Sequence, residues 1–238
     1  MPETPDIVID VRAVHKDYHG LRPLRIQQLE VRAGESVALL GFDLAAAEVL
    51  VNLITGATLP DTGEVRTFGR LTATIQDADT WLNSLDNFGI VGERAVVVDN
   101  MTVEENLTMP VTMELHDVPP DVRSMIRGLA GEVGLSPSEL SQAAGSLTAS
   151  QRLRLRLGRA LGPSPRLMLM EHPNAVLGAD ELRLFASDYA RIVTARHMTS
   201  VVLTADRAFA RAIAPRVMTL APATGALAPL TTWRRWFS

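Results

Sequence analysis

The sequence predicts an α/β domain on a largely parallel sheet, with an antiparallel β region towards its N-terminal side and a helical insertion in its middle. Three observations carry that expectation. Short apolar runs at residues 36–40, 95–98, 167–170, 201–203 and 217–220 alternate with stretches of helical spacing, which is the rhythm of parallel strands joined by helices. The first thirty residues alternate apolar and polar side chains instead, as half-exposed strands do. From about Met101 to Ala160 the chain carries Pro110, Pro119 and Pro120 and helical segments with no evident strand.

Taken in order, Ile7, Ile9 and Val11 mark a first strand, and Leu24, Ile26, Leu29 and Val31 a second. Their runs end in turn chemistry at His19-Gly20 and Ala33-Gly34. Residues 36–40 form an apolar strand entering Gly41, and residues 44–54 follow with helical spacing and Gly56 as C-cap. Residues 152–157 read RLRLRL, whose strict alternation favours a strand. Helix is nevertheless the expectation, because Leu153, Leu157 and Leu161 share one face, Arg152, Arg156 and Arg159 take another, and Gly162-Pro163 supplies a stop. One unit is expected over 1–238, with a lobe of about 1–98 and 162–238 and a helical part of about 99–161.

With 238 residues and 47% hydrophobic content, the chain is large enough to bury one full core. A net charge of −4 gives no global basic field, which argues against nucleic acid as a partner. The absence of cysteine excludes disulfides, thiolate nucleophiles and cysteine-ligated zinc, and suits a reducing cytoplasm. The five histidines, His15, His19, His116, His172 and His197, lack ligand-like spacing, so no metal site is expected. The start MPETPDIVID has no basic region followed by an apolar stretch, and nowhere do 18 apolar residues run together, so neither a signal peptide nor a spanning helix is expected.

Several landmarks then fall in a fixed order. Residues 41–48, GFDLAAAE, sit between strand and helix; Thr62-Gly63-Glu64-Val65 and Gly69 follow; TVEENLTMP begins at Thr102; LTASQ occupies 147–151. Arg154, Arg159, Ala160, Leu161 and Pro165 lead to the apolar run at 167–170 and then Glu171-His172-Pro173. This register, covering nearly the whole chain, resembles the ATP-binding subunits of ABC transporters, with a lipid and lipoprotein flavour in the TVEENLTMP segment. The resemblance implies a P-loop NTPase-like core of the RecA type.

Placed against the family pattern, however, the sites are degenerate. A phosphate loop works because glycines let backbone N–H groups approach phosphates, a lysine neutralises them and a hydroxyl binds Mg²⁺. Here Gly41 remains, but Ala46 replaces the second glycine, Ala47 the lysine and Glu48 the hydroxyl, and Asp43 adds a carboxylate. Two like charges about 4 Å apart cost on the order of 4 kcal/mol at an effective dielectric near 20, so the loop is expected to repel a triphosphate. Glu48 is expected to take the favourable helix dipole, worth roughly 0.3–1 kcal/mol, for itself. Glu171 replaces the Walker B aspartate and His172 the general base; the glutamine, aspartate and histidine of the remaining loops are replaced by Glu93, Gly178 and Ala205. Histidine is a competent base near neutral pH, but His172 equally suits a structural role.

Tyr18 stands where the family stacks an aromatic on adenine, and a tyrosine between strands also packs for its own sake. In the signature position, Leu147, Thr148, Ala149, Ser150 and Gln151 keep a hydroxyl and backbone donors that can face a phosphate held by a second subunit. The resemblance implies that the groove by Glu93 and Met101, Thr102, Val103, Glu104, Glu105 and Asn106 receives a permease helix. The expectation is a pseudo-ATPase without bound cofactor, peripheral to the membrane through a permease, as a homodimer or paired with another ATP-binding subunit. The rivals are an atypical ATPase using Glu171, His172, ATP and Mg²⁺, and a freestanding scaffold. The tail with Trp233, Arg234, Arg235, Trp236 and Phe237 suits a membrane interface or a protein groove, a capped strand edge or disorder.

Overall fold

The computed structural model describes residues 6–230 except 76, 113, 116 and 176, and leaves the side chain of Asn174 undescribed. The aromatic tail from Trp233 to Phe237 therefore lies outside the described residues. In chain order the elements are β1 (Ile7–Lys16), β2 (Leu24–Arg32), β3 (Ser36–Leu40), α1 (Leu44–Thr55), β4 (Thr62–Thr67), β5 (Arg70–Leu71), α2 (Ala78–Leu85) and β6 (Phe88–Val91). Then come α3 (Val103–Thr108), α4 (Pro120–Glu132), α5 (Ala149–Leu161), β7 (Leu167–Glu171), α6 (Ala179–Ala195), β8 (Thr199–Leu203), α7 (Arg207–Ile213), β9 (Arg216–Ala221) and β10 (Ala226–Pro229).

Two sheets result. The smaller has the order β2-β1-β4-β5 and is antiparallel, as the alternation of its strands requires. The larger, β10-β9-β3-β8-β7-β6, is parallel from β9 to β6 and closes on the antiparallel edge strand β10. The period of two along a strand sorts its side chains onto two faces. Ala38, Leu40, Met168, Met170 and Val202 pack with α3 to α7, whereas Val37, Leu39, Leu167, Leu169, Val201 and Leu203 pack with α1 and the antiparallel sheet. Each fully buried leucine or isoleucine removes apolar area from water worth roughly 1.5–3 kcal/mol, so both faces contribute strongly to the fold.

Helix α5 contains the RLRLRL stretch, with Leu153, Leu155, Leu157 and Leu161 buried and Arg152, Arg154, Arg156 and Arg159 partly exposed. Its C-terminal part lies hard against β6: a Cβ on Gly89 would stand 2.8 Å from the carbonyl oxygen of Ala160. One expected strand is not there. Residues 95–98 are irregular, and the strand that pairs with β7 is β6, through Phe88↔Leu167 to Val91↔Met170. The valine run looks like a strand because three β-branched residues adjoin, yet Val96 is 70% exposed and the Val98 N–H donates to the Asn106 side chain rather than to a ladder. Among the described residues no helix is long and apolar enough to cross a membrane.

Candidate functional site

Parallel α/β sheets present their ligand crevice at the carboxyl ends of the strands, so the ends of β3 and β7 and the start of α1 define the candidate site. Gly41 leaves β3 with φ +90°, and an added Cβ would stand 2.7 Å from the Leu220 carbonyl oxygen. Only glycine fits that approach. Helix α1 begins at Leu44, so residues 44–46, which the phosphate-loop pattern assigns to the cradle, are already helical. Asp43 is its N-cap: Oδ1 accepts the Ala46 N–H at 2.7 Å, and the Asp43 carbonyl accepts the Ala47 N–H at 2.9 Å. Asp43, not Glu48, thus meets the helix terminus.

Ala47, at the lysine position, is fully buried in the core beneath α1. Glu48 projects outwards and meets Arg94, with Oε1 3.2 Å from Nη1. The same guanidinium reaches Glu171 Oε1 from Nη2 at 2.5 Å and Asn52 Oδ1 from Nη1 at 3.2 Å. A single cation therefore bridges α1 and the end of β7. The charge of Glu48 is thus paired within the chain. Glu171 has a side chain only 10% exposed, against 47% for Glu48, so Arg94 is the main compensation for a nearly buried carboxylate.

The other positions lie around this centre in separate local roles. His172 has φ +43°, its backbone N–H donates to the Leu203 carbonyl at 2.8 Å, and its Nε2 is occluded with no hydrogen-bond partner among the described residues. Its side chain is buried. Gly178 starts α6, its N–H donating to Glu181 Oε2 at 3.2 Å. Ala205 is exposed, between buried Thr204 and Asp206, whose Oδ1 caps α7 through the N–H groups of Ala208 and Phe209. Glu93 is exposed in the turn after β6.

Tyr18 does come together with the loop. A cleft of about 270 Å³ is lined by Tyr18, Leu24, Arg25, Gly41, Asp43 and Leu220. Burial, and then the carboxylate of Asp43, push the Tyr18 hydroxyl above its ordinary range. In the signature segment, Thr148 caps α5 in a reciprocal box with Gln151, and Gln151 Nε2 also donates to Glu139. Both side chains are thereby engaged within the chain. Ala149 and Ser150 occupy the first two helical positions, whose N–H groups have no intrahelical acceptor, while Leu147 is buried below them.

Of the expected docking residues, Val103 and Asn106 are fully buried and belong to the scaffold. Asn106 Oδ1 accepts the Val98 N–H at 2.9 Å, and Nδ2 donates to the carbonyls of Val98 and Thr102, both at 3.0 Å. Thr102 and Glu105 form the capping box of α3, and Glu104 lies 3.8 Å from Arg127. Met101, Thr102, Glu104 and Glu105 are partly exposed, and together with Glu93 they are what remains for contact. Arg94 and Asn52 were not legible from the sequence. The ion pair and hydrogen bond that define them span 77 and 42 residues, and no local spacing announces such a contact.

The family profile described as "ABC transporter" matches residues 24–175, which is more than half of the chain. This chain belongs to the ABC transporter family. It is 29% identical over 218 residues to a sulfate/thiosulfate import ATP-binding protein, CysA 2, of Chromobacterium violaceum, covering 89% of this chain and 56% of that protein. It is 26% identical over 209 residues to the Fe(3+) ions import ATP-binding protein FbpC of Pseudomonas fluorescens, covering 88% and 57%. The chain thus spans little more than half the length of these curated relatives. In fold it is similar to cbiO1 of Clostridium perfringens, part of the transporter complex cbiONQ, with TM-score 0.79, 17% identity, and coverage of 94% of this chain and 87% of that one. It is also similar to the ATP-binding cassette MJ0796 in a dimeric post-hydrolysis state with ADP and phosphate, with TM-score 0.76, 20% identity, and coverage of 94% and 100%. The P-loop NTPase-like fold expected from the motif order is therefore the fold of this ABC family member.

Proposed function

We propose that this ABC family member is a pseudo-ATPase subunit of a transport complex, docking a membrane permease and pairing with a second ATP-binding subunit. The observation that carries this reading is the Arg94 bridge, which ties Glu48 and Glu171 together at the place where the family pattern puts a hydroxyl and an acid on Mg²⁺. Three further features point the same way. The amide of Ala46 is held by Asp43, Ala47 supplies no charge, and the His172 side chain is buried. These residues do not fit a magnesium-bound triphosphate, so no hydrolytic step is derived through one.

The transport setting rests on the relatives, which are named as import ATP-binding proteins for sulfate, thiosulfate and ferric ion. None of these names supports the lipid or lipoprotein flavour of residues 102–110. The N–H groups of Ala149 and Ser150 at the start of α5 favour a heterodimer, in which this chain completes a phosphate site held by a competent partner. A freestanding scaffold remains the rival without a permease, and copurification from solubilised membranes with a defined neighbouring permease separates the two.

Calorimetry of the purified chain with ATP and Mg²⁺ tests the reading directly, with an ABC subunit carrying an intact phosphate loop as the control. No saturable binding up to millimolar nucleotide is expected, a limit of about −4.1 kcal/mol in binding free energy. Micromolar binding together with phosphate release would overturn the pseudo-ATPase and favour an atypical ATPase using Glu171.

A further inference from the structure

Residues 92–98 form a strap that leaves β6, crosses the site and runs to α3. Both of its ends are tied within the chain. At the first, Arg94 reaches Glu48 at 3.2 Å and Asn52 at 3.2 Å on α1, and Glu171 at 2.5 Å on β7. At the second, Val98 exchanges two hydrogen bonds with the side chain of buried Asn106, at 2.9 and 3.0 Å. Between them the strap presents Glu93 and Val96 to solvent, and Val96 is 70% exposed. Among the described residues the one backbone bond within the strap is Ala95 N–H to the Gly92 carbonyl, at 3.2 Å. A segment with so little bonding of its own takes its position from its anchors.

We infer that Arg94 is a positioning residue that holds this strap, and the exposed Glu93 and Val96 on it, in one conformation without nucleotide. Its guanidinium is planar and carries donors in a rigid fork, so it donates to Asn52 and Glu171 on two elements at once while pairing its charge with Glu48. Lysine, a point charge with rotatable donors, does not reproduce that fork. The inference rests on the proposed docking role and deepens it: the contact surface is permanently formed and insensitive to ATP.

Hydrogen exchange on the full chain tests this, read at the Ala95 and Val98 amides with and without ATP and Mg²⁺. In the native chain, nucleotide leaves both rates unchanged. Arg94→Met accelerates them by ~10-fold or more while amides of β3 and β8 keep their protection, because only the anchor of a local unit is lost. Arg94→Lys gives an intermediate acceleration confined to the strap. Should Arg94→Met destabilise the whole chain, Glu48→Gln, which removes one exposed partner, is the deciding variant and accelerates the strap amides by ~3-fold. Unchanged strap exchange in Arg94→Lys and Glu48→Gln overturns the inference, as does slowing of the native strap by ATP. If calorimetry finds nucleotide bound while the strap still depends on Arg94 and not on ATP, the pseudo-ATPase reading fails and the clamp stands.

Discussion

Asp43 shows how much one side chain decides at the residue scale. As the N-cap of α1 it accepts the Ala46 N–H at 2.7 Å and places a carboxylate at the helix terminus, which disfavours a second anion there. Asp43→Ala is expected to cost about 0.5–2 kcal/mol, whereas Asp43→Asn keeps the cap and costs little; thermal unfolding of the two variants checks the contrast. The sequence pointed to a carboxylate at this turn but assigned the dipole to Glu48, since spacing cannot say which of two acids lies in the right rotamer. Glu139 offers a pH test. Burial raises its carboxyl, but hydrogen bonds from the Ser136 N–H and hydroxyl and from Gln151, with the charge of Arg154, outweigh burial and hold it below the ordinary range. A depressed folded value means that its contribution is present above the unfolded value of roughly 4.3 and is lost as pH falls through the folded one. Glu139→Gln is therefore expected to flatten the acid limb of a stability-against-pH curve, and an unaltered limb would place the titration elsewhere.

Glycine positions separate two kinds of constraint at the element scale. Gly63, at φ +86° in β4, would carry a Cβ 2.4 Å from the Ala13 carbonyl oxygen on β1, where the backbone has no room to yield. Gly34 has φ +76° between β2 and β3, with nothing within 4 Å of an added Cβ. Gly63→Ala is expected to destabilise by about 3 kcal/mol or more from strain plus clash, and Gly34→Ala by about 1 kcal/mol from the left-handed backbone alone. Chemical denaturation of both variants measures the difference. Helices were legible where several signals agreed: α1 had apolar spacing and Gly56 as C-cap, and α5 had leucines four apart on one face and a stop. The strand expected at 95–98 had only β-branched composition, and pairing with β7 went instead to residues 88–91. A parallel strand is defined by its neighbour, which composition does not contain.

At the scale of the whole molecule, two apolar layers on opposite faces of one sheet make the fold independent of the crevice at its rim. The fold can thus persist while the site changes. If the Arg94 bridge replaces nucleotide chemistry, ATP with Mg²⁺ should not drive self-association, so sedimentation of the chain at micromolar concentration is expected to give the same mass with and without them. An ATP-dependent shift to twice the mass would count against the pseudo-ATPase.

The sequence by itself determined the fold class and the family register. These follow from periodicity, turn residues and motif order, all properties of neighbours in the chain. Tertiary structure alone decided that Arg94 bridges Glu48 and Glu171 and that Ala47, Asn106 and His172 are buried. The physical reason is distance along the chain: Arg94 and Glu171 are 77 residues apart, and their ion pair exists only because adjacent parallel strands bring the end of β7 beside the turn that follows β6.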